Sequence, residues 1–157
     1  MPLDYQTVIL TQSVRLLEMW GEILRIGTPM DGRWLWLKNC YDNAERNTTA
    51  FQTRHFGIPY APSEWLDRRP TPAESQGFSR AIRQLASLDL IKTVARFAGS
   101  RTTHYQLTPA GLRVGLKLTQ AADVPLDQEA VQIALQHTKW ATDEHLAAVR
   151  GPQEPKA

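Results

Sequence analysis

The side chains best suited to binding a polyanion fall in two stretches of this 157-residue chain. In the first, Thr71-Pro72-Ala73-Glu74 places Thr at the N-cap, Pro at the first helical position and Glu at the third, the pattern of a capping box. The helix it opens is expected to run to about Leu88, with Phe78, Ile82, Leu85 and Leu88 on the buried face. Ser75, Gln76, Ser79, Arg80 and Arg83 then point the other way and present hydroxyl, amide and guanidinium groups. Such groups suit the floor of a DNA major groove, which is wide enough for one helix and is read near that helix's N-terminal half. The guanidinium fork binds a guanine edge or a phosphate with two parallel hydrogen bonds. The helix dipole adds partial positive charge at the same end.

The second stretch is a β-hairpin. Ile91 to Phe97 alternates apolar and polar residues, and Thr103 to Leu107 is β-prone. The glycine-containing loop 98–102 joins them. Arg96, Arg101 and Thr102 lie at this hairpin, where a small cationic loop can approach a phosphate backbone or enter a minor groove. Thr108-Pro109 repeats the N-cap and first-turn proline signal and opens a helix through about Gln120.

The flanks must position these stretches. Residues 4–26 read as one long helix whose Tyr5, Ile9, Gln12, Leu16, Met19, Ile23 and Ile26 repeat every 3.5 residues on average. That is the seam of two packed helices, so Ile9, Leu16, Met19 and Ile23 are expected at a dimer interface. A turn-rich break follows at 27–32, then a second helix over 33–46 with Trp34, Trp36 and Leu37. Residues 47–62 carry little periodic signal beyond Gly57, Pro59 and Pro62, and a short helix fits 63–69. A last helical region starts near Asp127 and breaks at Thr142, and residues 151–157 read as a flexible tail. The expected organisation is therefore a single domain over 1–150. It comprises an N-terminal dimer helix (4–26), a recognition helix and wing (60–108) and C-terminal helices (109–150).

Composition narrows the function classes. Apolar residues are 42% and charged residues 22% of the chain, enough to build a core. The net charge of +2 conceals an uneven distribution. Residues 68–117 hold nine basic and two acidic side chains, a local +7, against −5 for the remainder, the footprint of a polyanion-binding segment. The lone cysteine, Cys40, cannot form an internal disulfide and points to a reducing, cytoplasmic setting. The longest apolar runs, such as Trp34 to Leu37, are far too short for a membrane span. Of the four histidines, His137 and His145 lie with Asp143 and Glu144 at no standard metal-ligand spacing and read as surface histidines on helices, while His104, in an expected strand, reads as structural or phosphate-facing. No phosphate-binding loop, dinucleotide fingerprint or nucleophile signature is present. No cofactor, metal or enzymatic activity is expected.

A family resemblance adds to these readings. Phe78-Ser79-Arg80-Ala81-Ile82-Arg83-Gln84-Leu85, followed by Leu88-Asp89-Leu90-Ile91, resembles the recognition-helix end of MarR-type winged-helix regulators. Gly99-Ser100-Arg101 and Leu107-Thr108-Pro109-Ala110-Gly111 resemble their wing and the helix after it, and the latter segment is shared with PadR-type winged helices. The resemblance covers about 71–115. It implies a winged helix-turn-helix flanked by dimerisation helices, a minor-groove role for Arg101, and an aromatic-lined pocket for a small-molecule effector to which Trp20, Trp34 and Trp36 would contribute. Two positions depart from the pattern. Gly99 replaces the acid that would orient Arg101, and Asp89 replaces the glycine after the recognition helix.

The sequence thus leads to a mainly α fold with a small β-hairpin wing. The expected function is sequence-specific binding of double-stranded DNA by a homodimeric transcriptional regulator, without membrane association. The alternative is a winged helix used as a protein-interaction or assembly module, since fold alone does not fix function. Arg101→Ala is expected to weaken duplex binding and lower its salt slope by about one unit. Affinity measured across a salt series checks this, and an unchanged slope removes Arg101 from the interface.

Overall fold

The computed structural model describes residues 4–26, 49–94, 102–122 and 125–150. The expected helix over 33–46, Cys40, the hairpin residues Arg96 and Arg101, and the tail lie outside the described residues.

The chain is mainly helical with a small three-stranded antiparallel sheet. In order, it runs α1 (Tyr5–Ile26), α2 (Thr49–His55), β1 (Ile58–Pro59), α3 (Pro62–Leu66), α4 (Pro72–Ser87), β2 (Ile91–Val94) and β3 (His104–Leu107). Helices α5 (Pro109–Ala121), α6 (Gln128–Gln136) and α7 (Asp143–Arg150) follow. Both proline-led helices start where their caps specify. Thr71 Oγ1 accepts from the Glu74 amide and Thr108 Oγ1 from the Gly111 amide. The expected pair of strands is present, with Ile91 opposite Leu107 and Val94 opposite His104. The two-residue β1 adds a third strand on the far side of β3, with Ile58 opposite Tyr105. Pro59 is tolerated there because β1 is an edge strand.

Helix α1 is the centre of the packing and lies against α4, α5 and α6. Its buried apolar side chains are Ile9, Leu10, Val14, Leu17, Trp20 and Leu24, which face a single cluster running to Val149 in α7. This corrects the expected seam. Ile9 is fully buried in the chain's own core and is not available to a partner. Several helices of the same chain contact α1, so its buried face is broader than one seam and is rotated from it. Leu16 and Ile23 remain partly buried, Gln12 is exposed, and Met19 is 42% exposed.

Asp4 caps α1 by accepting from both the amide and the hydroxyl of Thr7. At the other end, Arg25 pairs with Asp127 at 2.6 Å, and Glu18 accepts the Asp127 amide at 2.7 Å. Asp127 also caps α6 through the Ala130 amide. One carboxylate therefore starts α6 and ties it to α1.

Two further expectations change. Leu88, placed on the buried face by periodicity, is 61% exposed because the helix ends at Ser87 and the chain turns there. His145, read as a surface residue, is 5% exposed. Its Nδ1 accepts from the Thr142 amide at 3.0 Å, so the proton sits on Nε2, which donates to the Leu107 carbonyl at 2.7 Å. The imidazole thus fastens α7 to the end of β3. His104 is structural, as one of its readings had it. It is buried between Gln52 and Thr103.

The α1–α6 crossing sets a sharp test. A Cβ added at Gly21 would fall 1.6 Å from the Ala130 carbonyl oxygen, a backbone atom. Gly21→Ala must therefore push two helices apart and is expected to cost about 1–3 kcal/mol or more, as overpacking does. Thermal unfolding followed by circular dichroism checks this. An unchanged midpoint would mean that α1 and α6 do not approach so closely.

Candidate nucleic-acid interface

Helix α4 is built to show one face. Gly77, Phe78, Ala81, Ile82 and Leu85 are buried. Ser75, Gln76, Ser79, Arg80 and Arg83 are all exposed, so the five residues expected to face a ligand share the solvent side of one helix.

An aromatic cluster sets the pitch of this helix. Phe78 meets the ring of Tyr5 edge-on at 4.8 Å and that of Trp65 at 5.3 Å. Trp65 in turn packs against Tyr60 and Tyr105. Tyr105 is fully buried and its hydroxyl bonds Ser13 of α1 at 2.6 Å. Edge-on pairs add to the area they bury. Gly77 is explained by the same contact, because a Cβ there would fall 2.3 Å from the Tyr5 ring. Gly77 thus serves the close packing of α4 against Tyr5.

The start of α4 is held by charge. Thr71 and Glu74 complete the capping box, with the Glu74 carboxylate accepting the Thr71 amide at 2.9 Å. Arg68 grips both carboxylate oxygens, at 2.7 and 2.6 Å. The Arg68 guanidinium, helped by the Thr71 amide, holds the Glu74 carboxyl down to about 2. Arg68 is thereby occupied in positioning the helix and does not count as a free cation.

At its other end, α4 closes with the Asp89 amide donating to Ala86 O and the Leu90 amide to Leu85 O. This is the double bond pattern of a Schellman turn. Asp89 has φ of 60°, the left-handed conformation that glycine adopts most cheaply. The resemblance placed glycine at this position, and the backbone has the shape a glycine would take.

The exposed face is concave. Ser75, Ser79 and Arg83 of α4 line a groove of about 540 Å³ together with Thr102, at the approach to β3. Tyr60 and Pro62 also line it. Four expected site residues thus meet in one depression, while Gln76 and Arg80 stand exposed on the same helix outside its lining. Tyr60 was missed by the sequence reading, because residues 47–62 have no periodicity. Its signal was Tyr60-Ala61-Pro62, a helix start with proline at the first position. Partial burial raises the Tyr60 phenol above its usual value, so it stays a hydrogen-bond donor at neutral pH.

The basic segment divides. Arg83 belongs to the groove just described, and Arg80 and Lys92 are exposed nearby in sequence. Arg113 and Lys117 line a different groove, between α5 and α7. The nine cations therefore do not form a single set.

Because Glu74 has its folded value depressed, the stability it contributes is present above about pH 4.5 and is lost as pH falls toward 2. Glu74→Gln keeps an acceptor for the cap but loses the charge. The melting temperature of the variant is expected to lie below that of the parent at pH 7, and the gap to close between pH 4.5 and 2. A gap that is constant with pH would mean the ion pair does not act on folding.

No protein-family model matches the chain, and no curated protein or solved structure matches it.

Proposed function

We propose that the chain is a sequence-specific regulator that binds double-stranded DNA as a homodimer, through a winged helix-turn-helix. In this reading α3 and α4 are the helix pair, α4 is the recognition helix, and β2 and β3 with their connecting loop are the wing. The observation that carries it is the one-sided exposure of Ser75, Gln76, Ser79, Arg80 and Arg83 on a helix capped, pinned and packed on its other side. The groove that joins three of them to Thr102 supports a ligand that touches helix and wing together. Arg83 is the residue assigned to a base edge or the adjoining phosphate. Ser75, Ser79 and Tyr60 supply shorter donors and acceptors. Arg96 and Arg101 belong to the wing in this reading.

The homodimer draws on α1. Gln12, Leu16, Met19 and Ile23 form a stripe on its outer side, with Met19 exposed and Leu16 and Ile23 only partly covered. Two copies paired there would present two recognition helices to half-sites about one helical turn apart. Among the described residues no helix is long and apolar enough to cross a membrane.

The test is selection of bound duplexes from a random pool, with the affinity of the winner followed against salt. An enriched, roughly palindromic site is expected. Arg83→Ala should cost about 1–3 kcal/mol on that site or change the base preferred. Equal affinity and an identical selected site would remove Arg83 from readout. Steeply salt-dependent binding without a preferred site would replace the regulator by a non-specific DNA binder. No binding at low salt would favour a protein-interaction module.

A further inference from the structure

The second groove has a chemistry of its own. It lies between α5 and α7 and has a volume of about 700 Å³, within the roughly 300–1,000 Å³ of small-molecule sites. Its lining includes the apolar side chains of Val114, Ala147 and Val149 and three cations, Arg113, Lys117 and Arg150, and it contains no carboxylate. Val114 is 36% exposed, so apolar surface is open to solvent between the charges.

The cations are uncompensated among the described residues. None of the three takes part in an ion pair among the described residues. Arg113 and Lys117 stand four residues apart on α5, a like-charge spacing that weakens an isolated helix. Charges elsewhere on the chain were matched. Arg25 found Asp127 and Arg68 found Glu74. An anion between Arg113, Lys117 and Arg150 would relieve the repulsion and gain charge-assisted hydrogen bonds.

The walls are also held in place. His145 anchors α7 to the Leu107 carbonyl at the end of β3, and Thr108 caps α5 one residue later. Both helices therefore start from the same point, which limits how far the groove can open. A site whose walls are set in advance loses less on ordering when it binds.

We propose that the α5–α7 groove binds a small anionic amphiphile, a monocarboxylate with an apolar body, with its headgroup among Arg113, Lys117 and Arg150 and its tail along Val114, Ala147 and Val149. This goes beyond the DNA-binding reading and does not depend on it. The groove shares no lining residue with the one formed by α4 and Thr102.

Calorimetric titration of the full chain, without DNA, tests the proposal with three probes of one chain length: decanoate, decan-1-ol and decyltrimethylammonium. Decanoate is expected to bind at one site, with the alcohol and the cation weaker by about tenfold or more, a difference of roughly 1.4 kcal/mol. Lys117→Glu and Val114→Asp alter exposed positions of α5, and each should weaken decanoate by a similar factor. Amide shifts induced by decanoate in the parent protein should centre on 113–117 and 147–150, a readout that stands even if a variant fails to fold. Equal binding of the three probes, unchanged affinity in both folded variants, or shifts centred elsewhere would each overturn the proposal. Because no DNA is present, failure here leaves the regulator reading intact, and failure of duplex selection leaves this one intact.

Discussion

Everything in this molecule depends on α1 being shared. One helix is the common wall for α4, α5 and α6, so the orientation of the exposed face of α4 relative to the C-terminal helices is set by how closely each approaches α1. One close approach is at Gly21, where the α6 backbone occupies the space a side chain would need. Apolar burial supplies the drive along Ile9, Leu10, Val14 and Leu17. It is non-directional, however, and would accept other arrangements. The directional terms select one: the Ser13–Tyr105 hydrogen bond in the core and the Asp127 carboxylate clasped by Arg25.

The same division of labour appears at α4. Its buried face is held by Phe78 among aromatic rings, and its start by the Arg68–Glu74–Thr71 cluster. Exposed ion pairs usually contribute little. This one has a bidentate geometry and is coupled to a cap, so it also defines where the helix begins. The consequence for function is an allocation of charge. A cation spent on Glu74 is not available to a ligand, whereas Arg80 and Arg83, further along the same helix, are left facing solvent.

Two concave surfaces result, and they differ in character. The α4 groove combines hydroxyls, a phenol and one guanidinium, which suits directional contact with a polar partner. The α5–α7 groove combines apolar side chains with three cations, which suits a ligand that is part hydrocarbon and part anion. They are connected through β3. Its last residue, Leu107, accepts the His145 hydrogen bond, and its approach carries Thr102. Strand β3 thus touches both sites through covalent and hydrogen-bonded links.

Local chemistry was legible in the residues themselves. Thr71-Pro72-Ala73-Glu74 and Thr108-Pro109 specify helix starts because a cap is satisfied within four residues, and both helices begin there. The exposed set on α4 was legible for the same kind of reason, since a period of 3.6 residues separates its faces without help from the rest of the chain. Tertiary structure decided what spacing cannot express. The α1 repeat was compatible with a partner chain or with the chain's own core, and Ile9 went to the core because α4, α5 and α6 needed a wider surface than one seam. Leu88 kept its place in the pattern but lost its burial when the chain turned at Asp89. Tyr60 entered the α4 groove, and His145 reached Leu107 across 38 residues of sequence. Of the basic residues in 68–117, Arg68 went to pairing, Arg83 to one groove, and Arg113 and Lys117 to another. Charge in a sequence is a sum along the chain, but a partner meets it as an arrangement in space. That arrangement is fixed by which helices share α1.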